Sequence, residues 1–142
     1  MYSAENIEKK MNIILNQKLS ENDFALPEEE YLNLFFADLQ RNIELGVPKD
    51  YIDFLHKYGI GDLCSFFSID SELRSSKDVF SHEISDLKFF YFFATDIGEY
   101  LYAFDSENNW NIVEVDSSGN ITEYLSNSFS KFIEKILDEI ID

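Results

Sequence analysis

The stretch LKFFYFFATDIGEYLYAFD, residues 87–105, decides the fold. Its first part, Leu87 to Ala94, is apolar at both alternating sets of positions, which is typical of a strand covered on both faces. Its second part, Glu99 to Asp105, alternates tyrosine and phenylalanine with leucine and alanine, as a strand does. Gly98 lies in the short spacer between the two parts and permits an antiparallel hairpin. The stretch therefore predicts a central pair of antiparallel strands.

Further strands are predicted on both sides of this pair. Downstream, Asn111 to Val115 and Ile121 to Leu125 flank residues 116–120, whose turn-forming side chains favour a second hairpin. Upstream, Leu63 to Ile69 is short, aromatic and apolar, as one strand would be. Residues 70–86 are polar and compatible with irregular structure that includes a short helical turn. Together the segments predict an antiparallel meander.

Two helices are predicted at the N-terminal end from apolar residues that recur every three or four positions. The first begins after a cap at Ser3 and ends near Lys18, and its apolar stripe comprises Ile7, Met11, Ile14 or Leu15, and Leu19. The second follows Pro27 and ends at Gly46, and its stripe comprises Leu32, Phe35 or Phe36, Leu39 and Ile43.

A third helix is predicted from Lys49 to Tyr58, because Pro48 and Gly59 supply start and stop signals. A terminal helix follows the cap candidates Ser126 and Ser128, and its stripe comprises Phe129, Phe132, Ile133, Ile136, Leu137 and Ile140. The predicted fold is a single α+β domain, residues 1–142. In it N-terminal helices and a C-terminal helix pack on the antiparallel meander.

The net charge of the chain limits the kinds of partner that it can bind. The chain has 142 residues, a net charge of -17 and an isoelectric point near 4.2. That charge excludes an ordinary nucleic-acid binder, whose phosphate contacts need a basic stripe, and argues against adhesion to anionic lipid. Three observations predict a cytoplasmic protein without a membrane span. Cys64 is the only cysteine, the start of the sequence has no signal-peptide pattern, and the longest apolar run, Phe89–Ala94, is too short to span a bilayer.

No catalytic, metal or cofactor motif is found. His56 and His82 lie outside any recognisable motif, and Cys64 is interpreted as a small buried apolar residue. Asp105, Glu107, Asn109 and Asp116 have the spacing of a calcium-binding loop, but Trp110 occupies the position that requires glycine. The sequence therefore predicts a protein that is not an enzyme and needs no metal or cofactor.

The base-free stretch, residues 89–130, contains no lysine or arginine but seven acids. Each acid could simply keep the strands soluble, whereas as a group they would create a field of one sign that attracts a basic partner. Trp110 is of the residue type enriched at the centres of interfaces. The candidate partner-binding residues are Asp96, Glu99, Asp105, Glu107, Trp110, Glu114 and Asp116.

Two blocks resemble the SUKH superfamily, the Smi/Knr-like proteins. The first, Val47–Gly59 (VPKDYIDFLHKYG), is similar to its "Leu-Pro, acidic, aromatic, Phe-Leu, Asn-Gly" helix. The second, Phe93–Asp105 (FATDIGEYLYAFD), is similar to its "Phe-Ala, Asp, Gly, acidic, aromatic strand" segment. The terminal Ser128–Ile133 is similar to its closing helix. The resemblance covers about residues 4–140 and departs from the pattern at Tyr58, Ile97 and Glu99.

The resemblance implies an α+β domain and a binding function. Bacterial members are typically immunity proteins that neutralise a cognate polymorphic toxin, often a nuclease, by direct binding. Fungal relatives regulate cell-wall synthesis, which leaves a non-enzymatic regulatory or scaffold module that binds a host protein as the alternative. The family pattern has no catalytic residues to carry over. A basic nuclease domain is the expected partner, and the oligomeric state is left open.

Overall fold

The computed structural model describes residues 4–16 and 24–141, which form five α-helices, one 3-10 turn and a six-stranded antiparallel sheet. The helices are α1 (Ala4–Asn16), α2 (Glu29–Leu45), α3 (Lys49–Tyr58), α4 (Ser76–Phe80) and α5 (Phe129–Ile141), and the 3-10 turn is Ser85–Leu87. The strands are β1 (Gly61–Leu63), β2 (Phe67–Arg74), β3 (Phe90–Asp96), β4 (Leu101–Asp105), β5 (Asn111–Val115) and β6 (Ile121–Ser126). The predicted α+β class is confirmed.

The predicted N-terminal helices form where the apolar spacing places them. In α1, Ile14 is buried and Leu15 is 42% exposed, which decides between the two residues. The predictions for Ser3, Lys18 and Leu19 lie outside the described residues. In α2, Gly46 adopts a left-handed φ of 105°, and its N–H donates to the carbonyl oxygens of Asn42 and Ile43. Glycine adopts this conformation without strain, so the helix ends there.

The prediction for α3 agrees with the structure at both ends. A hydrogen bond also links the start of α5 to the start of α3. The Ser128 hydroxyl accepts a hydrogen bond from the Lys131 N–H at 3.2 Å, so Ser128 caps α5. The Asp50 carboxylate in the first turn of α3 accepts a second one, from the Ser130 N–H at 2.8 Å. Two helices far apart in sequence thereby begin side by side.

The six strands pair in chain order, β1-β2-β3-β4-β5-β6, and all pairs are antiparallel. The predicted meander is therefore confirmed, but the predicted bounds of β3 and β4 were wrong, and β6 extends one residue further than predicted, to Ser126. Leu87 belongs to the 3-10 turn, and β3 extends from Phe90 to Asp96. β4 begins at Leu101 because Glu99 has a positive φ of 67°, which belongs to a turn.

The single strand predicted over Leu63–Ile69 was wrong, because this segment is a hairpin. Cys64 and Ser65 have positive φ values of 54° and 57°, and the Phe66 N–H donates to the Leu63 carbonyl oxygen at 2.9 Å. Left-handed residues other than glycine, asparagine or aspartate are uncommon, so no local signal marked the turn. β2 then continues to Arg74 through residues that the sequence had left unassigned.

One face of the sheet shares the main core with apolar residues of α1, α2, α3 and α5. Tyr51 of α3, which is 1% exposed, makes edge-to-face contacts with Phe93, Phe104 and Phe129 at centroid distances of 5.7, 5.1 and 5.2 Å. Such pairs contribute about 0.5–1.5 kcal/mol each beyond the burial of apolar area. α3 therefore lies at the centre of the main core.

The other face has a smaller core made by the chain between β2 and β3. Leu87, Phe90, Phe92, Ala103, Val113 and Val115 form this cluster. Val79, Phe80 and Ile84 of the connecting segment pack over it. α4 begins with a capping box in which the Ser75 hydroxyl accepts from the Asp78 N–H and the Asp78 carboxylate accepts from the Ser75 N–H. β3 is thus covered on both faces, as its sequence predicted.

Candidate functional site

The turns of the meander alternate between the two ends of the sheet. Leu101 pairs with Thr95 on one side and with Val115 on the other, and Phe67 pairs with Asp96. This register brings three turns, residues 64–66, 97–100 and 116–120, to one end, which we call the acidic end. The turn between β4 and β5, residues 106–110, lies at the opposite end, which we call the Trp end.

Acids dominate the acidic end. Asp62 lies beside the first turn, Asp96 and Glu99 lie in and beside the second, and Asp116 begins the third. The six strands together contain one basic residue, Arg74, which pairs with Phe92 near the other end of β3 and donates to Asp70 at 3.0 Å. The hairpins of the acidic end thus have several carboxylates and no lysine or arginine near their turns.

Asp96 organises the turn between β3 and β4. Its Oδ1 accepts hydrogen bonds from the Gly98 and Tyr100 N–H groups at 2.9 and 3.1 Å. Its Oδ2 accepts one from the Tyr102 hydroxyl at 2.7 Å. The carboxylate therefore supports the turn as well as adding charge, and it fixes the loop that presents Ile97 and Glu99.

Asp116 does the same for the turn between β5 and β6. Its Oδ1 accepts from the Asn120 and Ser118 N–H groups at 2.9 and 3.0 Å, and Oδ2 accepts from the Asn120 side-chain amide at 3.3 Å. These hydrogen bonds, with the Asn120 backbone bond as the largest cause, lower the pKa of the Asp116 carboxyl below its ordinary value. Asp116 thus keeps its negative charge to a lower pH than an ordinary aspartate.

The tip of the turn between β3 and β4 exposes apolar surface among these acids. Ile97 is 73% exposed and Tyr100 is 40% exposed, although the surrounding strands are largely buried. Glu99 lies between them in the left-handed region and is itself exposed. An apolar tip with charged neighbours has the composition of an interface centre with its polar rim.

Glu114 is the penultimate residue of β5, close to the acidic end, and its side chain lies on the face that packs against α5. One carboxylate oxygen accepts from the Thr122 hydroxyl at 2.7 Å, and the other lies 3.4 Å from the Tyr102 hydroxyl. Burial, followed by the hydrogen bond to Asp96, raises the pKa of Tyr102 far above its ordinary value. The phenol therefore stays protonated, and its one O–H can donate to the nearer carboxylate, that of Asp96.

The Trp end is built differently. Asp105 is buried, its carboxylate accepts from the Glu107 N–H at 3.2 Å, and its carbonyl oxygen accepts from the Trp110 N–H at 3.0 Å. Trp110 has a positive φ of 58°, and its indole ring stacks on Tyr91 at a centroid distance of 5.6 Å. A Cβ added at Gly46 would meet that indole ring at 3.6 Å. Asp105 and Trp110 therefore hold the turn against the core.

The seven predicted residues do not form one surface. Asp96, Glu99 and Asp116 lie at the acidic end, whereas Asp105, Glu107 and Trp110 lie at the Trp end. Glu114 faces the groove beside α5. The ends are separated by the length of β4, about 13–17 Å for its five residues. Asp105 and Asp116, which have the spacing of the first and last ligands of a calcium-binding loop, lie at opposite ends of the sheet and do not form such a loop.

Residues that the sequence did not single out complete the acidic end. Asp62 was missed because the hairpin of β1 and β2 was read as one strand. Ile97 and Tyr100 were treated as part of a turn and a strand face, not as exposed surface. One signal was available: in a meander successive turns alternate between ends, so residues 97–100 and 116–120 had to lie together.

Comparisons with known proteins add no family assignment: no protein-family model matches this chain, and its sequence has no significant match among curated proteins. Within residues 4–16 and 24–141, no group of three or more histidine, cysteine, aspartate or glutamate side chains is arranged to hold a metal ion. No helix in these ranges is long and apolar enough to cross a membrane.

Proposed function

We propose that this protein is a cytoplasmic immunity protein that binds a bacterial toxin and neutralises it, and that the acidic end of the sheet contacts a basic nuclease domain. The acidic end carries the proposal. Its carboxylates have no lysine or arginine in the same turns, and they surround the exposed side chains of Ile97 and Tyr100. The arrangement offers charge for attraction and apolar area for affinity.

Charge complementarity explains why a nuclease is the favoured partner. A nuclease must hold phosphates, so its active site is basic. An acidic protein that covers this site competes directly with the nucleic acid and is steered to it by the field. The net charge of -17 makes that steering strong at low ionic strength and weak at high ionic strength.

The resemblance to the SUKH superfamily supports the same function. The two blocks that carry it, Val47–Gly59 and Phe93–Asp105, contact each other in the core through Tyr51, Phe93 and Phe104. They are therefore positions that support the fold. The bacterial members of that family are typically immunity proteins that bind toxins, and this is why a toxin is proposed as the partner.

Co-expression with a toxin encoded by the adjacent gene tests the proposal. Cells that make the toxin should survive when this protein is present, and the two purified proteins should form a complex. We expect the affinity to fall by at least about tenfold between low and high salt, because exposed charges are screened. A complex whose affinity is unchanged by salt would contradict the electrostatic mechanism. Absence of a toxin gene and of protection would favour the regulatory module.

A further inference from the structure

The two edges of the sheet differ in length. β1, at one edge, has three residues, and β6, at the other, has six. Among the described residues β6 pairs with β5 alone, so its outer side offers unpaired backbone groups. Short strands, prolines and lysines normally protect an edge from pairing with another chain. β6 has no proline, lysine or arginine and is twice as long as β1.

The side chains of β6 divide between the two faces of the sheet. Ile121 lies opposite Val115 and Tyr124 opposite Val113, on the face of the smaller core. Ile121 is 37% exposed and Tyr124 is 52% exposed. A strand added at this edge would place alternate side chains beside these two apolar residues.

On the opposite face, a groove of about 290 Å³ separates β6 from α5. Glu123, which lies opposite Glu114, lines this groove together with Glu139. Two lysines of α5 also line it; Lys131 additionally lines the hollow with Ser126 and Asn127 at the far end of β6. The groove as a whole has three glutamates, Glu114, Glu123 and Glu139, and two lysines, Lys131 and Lys135. Glu123 lies in the first half of the strand, which adjoins the acidic end.

We propose that β6 binds an extended segment of a basic protein partner by strand addition. A basic side chain of that segment lies beside Glu123 and Glu139, and the next side chain lies beside Ile121 and Tyr124. Register shifts between β5 and β6 twist the edge, so the added segment is short, about four residues. This inference rests on the proposed function for the choice of a basic partner.

The test uses a blocked peptide of about eight residues that alternates lysine and valine. Hydrogen exchange of the whole protein is measured with and without the peptide, and affinity is measured for two double variants. I121K/Y124K places lysines on the edge. Y31K/L34K is the matched control, because Tyr31 and Leu34 of α2 are 57% and 63% exposed and the change in charge is identical. Circular dichroism checks that each variant folds.

We expect peptide binding to slow exchange of the β6 amides in the wild-type protein. The affinity should fall at least about tenfold in I121K/Y124K and stay within about twofold in Y31K/L34K. Equal losses in both variants, or no binding, would overturn strand addition. Protection confined to residues 97–100 and 116–120 would also overturn it while leaving the proposed function intact. If the wild-type protein binds the peptide at β6 but does not keep toxin-producing cells alive, the proposed function is wrong and strand addition stands.

Discussion

The two ends of the sheet contain similar residue types in different situations. At the Trp end, Asp105 is buried and Trp110 is stacked on Tyr91, so both side chains face inward. At the acidic end, Ile97 and Glu99 face outward on a turn that Asp96 holds. The same composition of acids and aromatics therefore supports the fold at one end and forms an accessible surface at the other. Stability and binding should respond separately to substitutions at the two ends.

The largest expected difference is in stability. Trp110→Ala removes the indole ring that packs against Tyr91 and Phe104, and should lower the free energy of unfolding by about 3 kcal/mol. The matched variant at the acidic end, Tyr100→Ala, should cost less than about 1 kcal/mol because its ring is exposed. Urea denaturation of both proteins measures the difference. Equal costs would mean that the Trp end is not the more tightly packed one.

Binding should show the reverse order. I97K/E99K changes one apolar and one acidic residue at the acidic end, and should weaken toxin binding about 100-fold, or about 2.7 kcal/mol. F89K/E107K makes the same chemical change near the Trp end, where Phe89 is 45% exposed and Glu107 is exposed.

The Trp-end variant should change affinity by less than about threefold. Calorimetric titration of each folded variant with the purified toxin gives both values. A stronger effect at the Trp end would move the binding surface there.

A smaller effect on stability is expected from the Tyr102 hydroxyl, which links β4 to Asp96 at the acidic end. Tyr102→Phe removes the hydrogen bond to Asp96 and should cost about 1.5 kcal/mol of stability, since the acceptor is charged. Tyr91→Phe at the Trp end keeps the ring stacked on Trp110 and should cost less than about 0.5 kcal/mol. Thermal unfolding measures both. If the two variants are equally stable, the Tyr102 hydroxyl does not hold the turn.

The smallest effect is a dependence on pH. The folded-state pKa of Asp116 is lowered, so its ionised form stabilises the fold above the unfolded pKa of about 3.9, and this contribution is lost as the pH falls through the folded pKa. The stability difference between the wild type and Asp116→Asn should therefore shrink below about pH 4. Melting temperatures of both proteins between neutral and acid pH measure it. A difference that is constant with pH would show that the charge is irrelevant to the turn.

Much of the fold could be predicted because local signals and apolar spacing agree. The helix Lys49–Tyr58 has both its start and stop signals, and residues 87–105 combine apolar strands with a turn. The hairpin of β1 and β2 escaped prediction because its turn uses Cys64 and Ser65 in a left-handed conformation. Its surroundings are non-local, since Phe67 pairs with Asp96 and the Ile97 N–H donates to the Phe66 carbonyl oxygen.

The candidate site was predicted less well than the fold. Counting charges along the chain identified Asp96, Glu99 and Asp116, but it also joined them to Asp105 and Glu107 at the other end. Glu99 and Asp105 are only six positions apart in sequence, but they lie at opposite ends of the sheet because β4, a strand of five residues, runs between them. Burial cannot be predicted from residue type either, as Trp110 packs, partly buried, against the core while Ile97 is 73% exposed.

The sequence by itself determined the four longer helices, the order of strands β3 to β6 and the excess of acids in the base-free stretch. These properties depend on spacing and composition, which act locally or sum over the chain. Only the tertiary structure decided which acids lie together, which aromatic rings are buried and which edge of the sheet stays open. Those depend on the direction of each turn and on contacts between residues far apart in sequence, such as Phe67 with Asp96 and Tyr51 with Phe104.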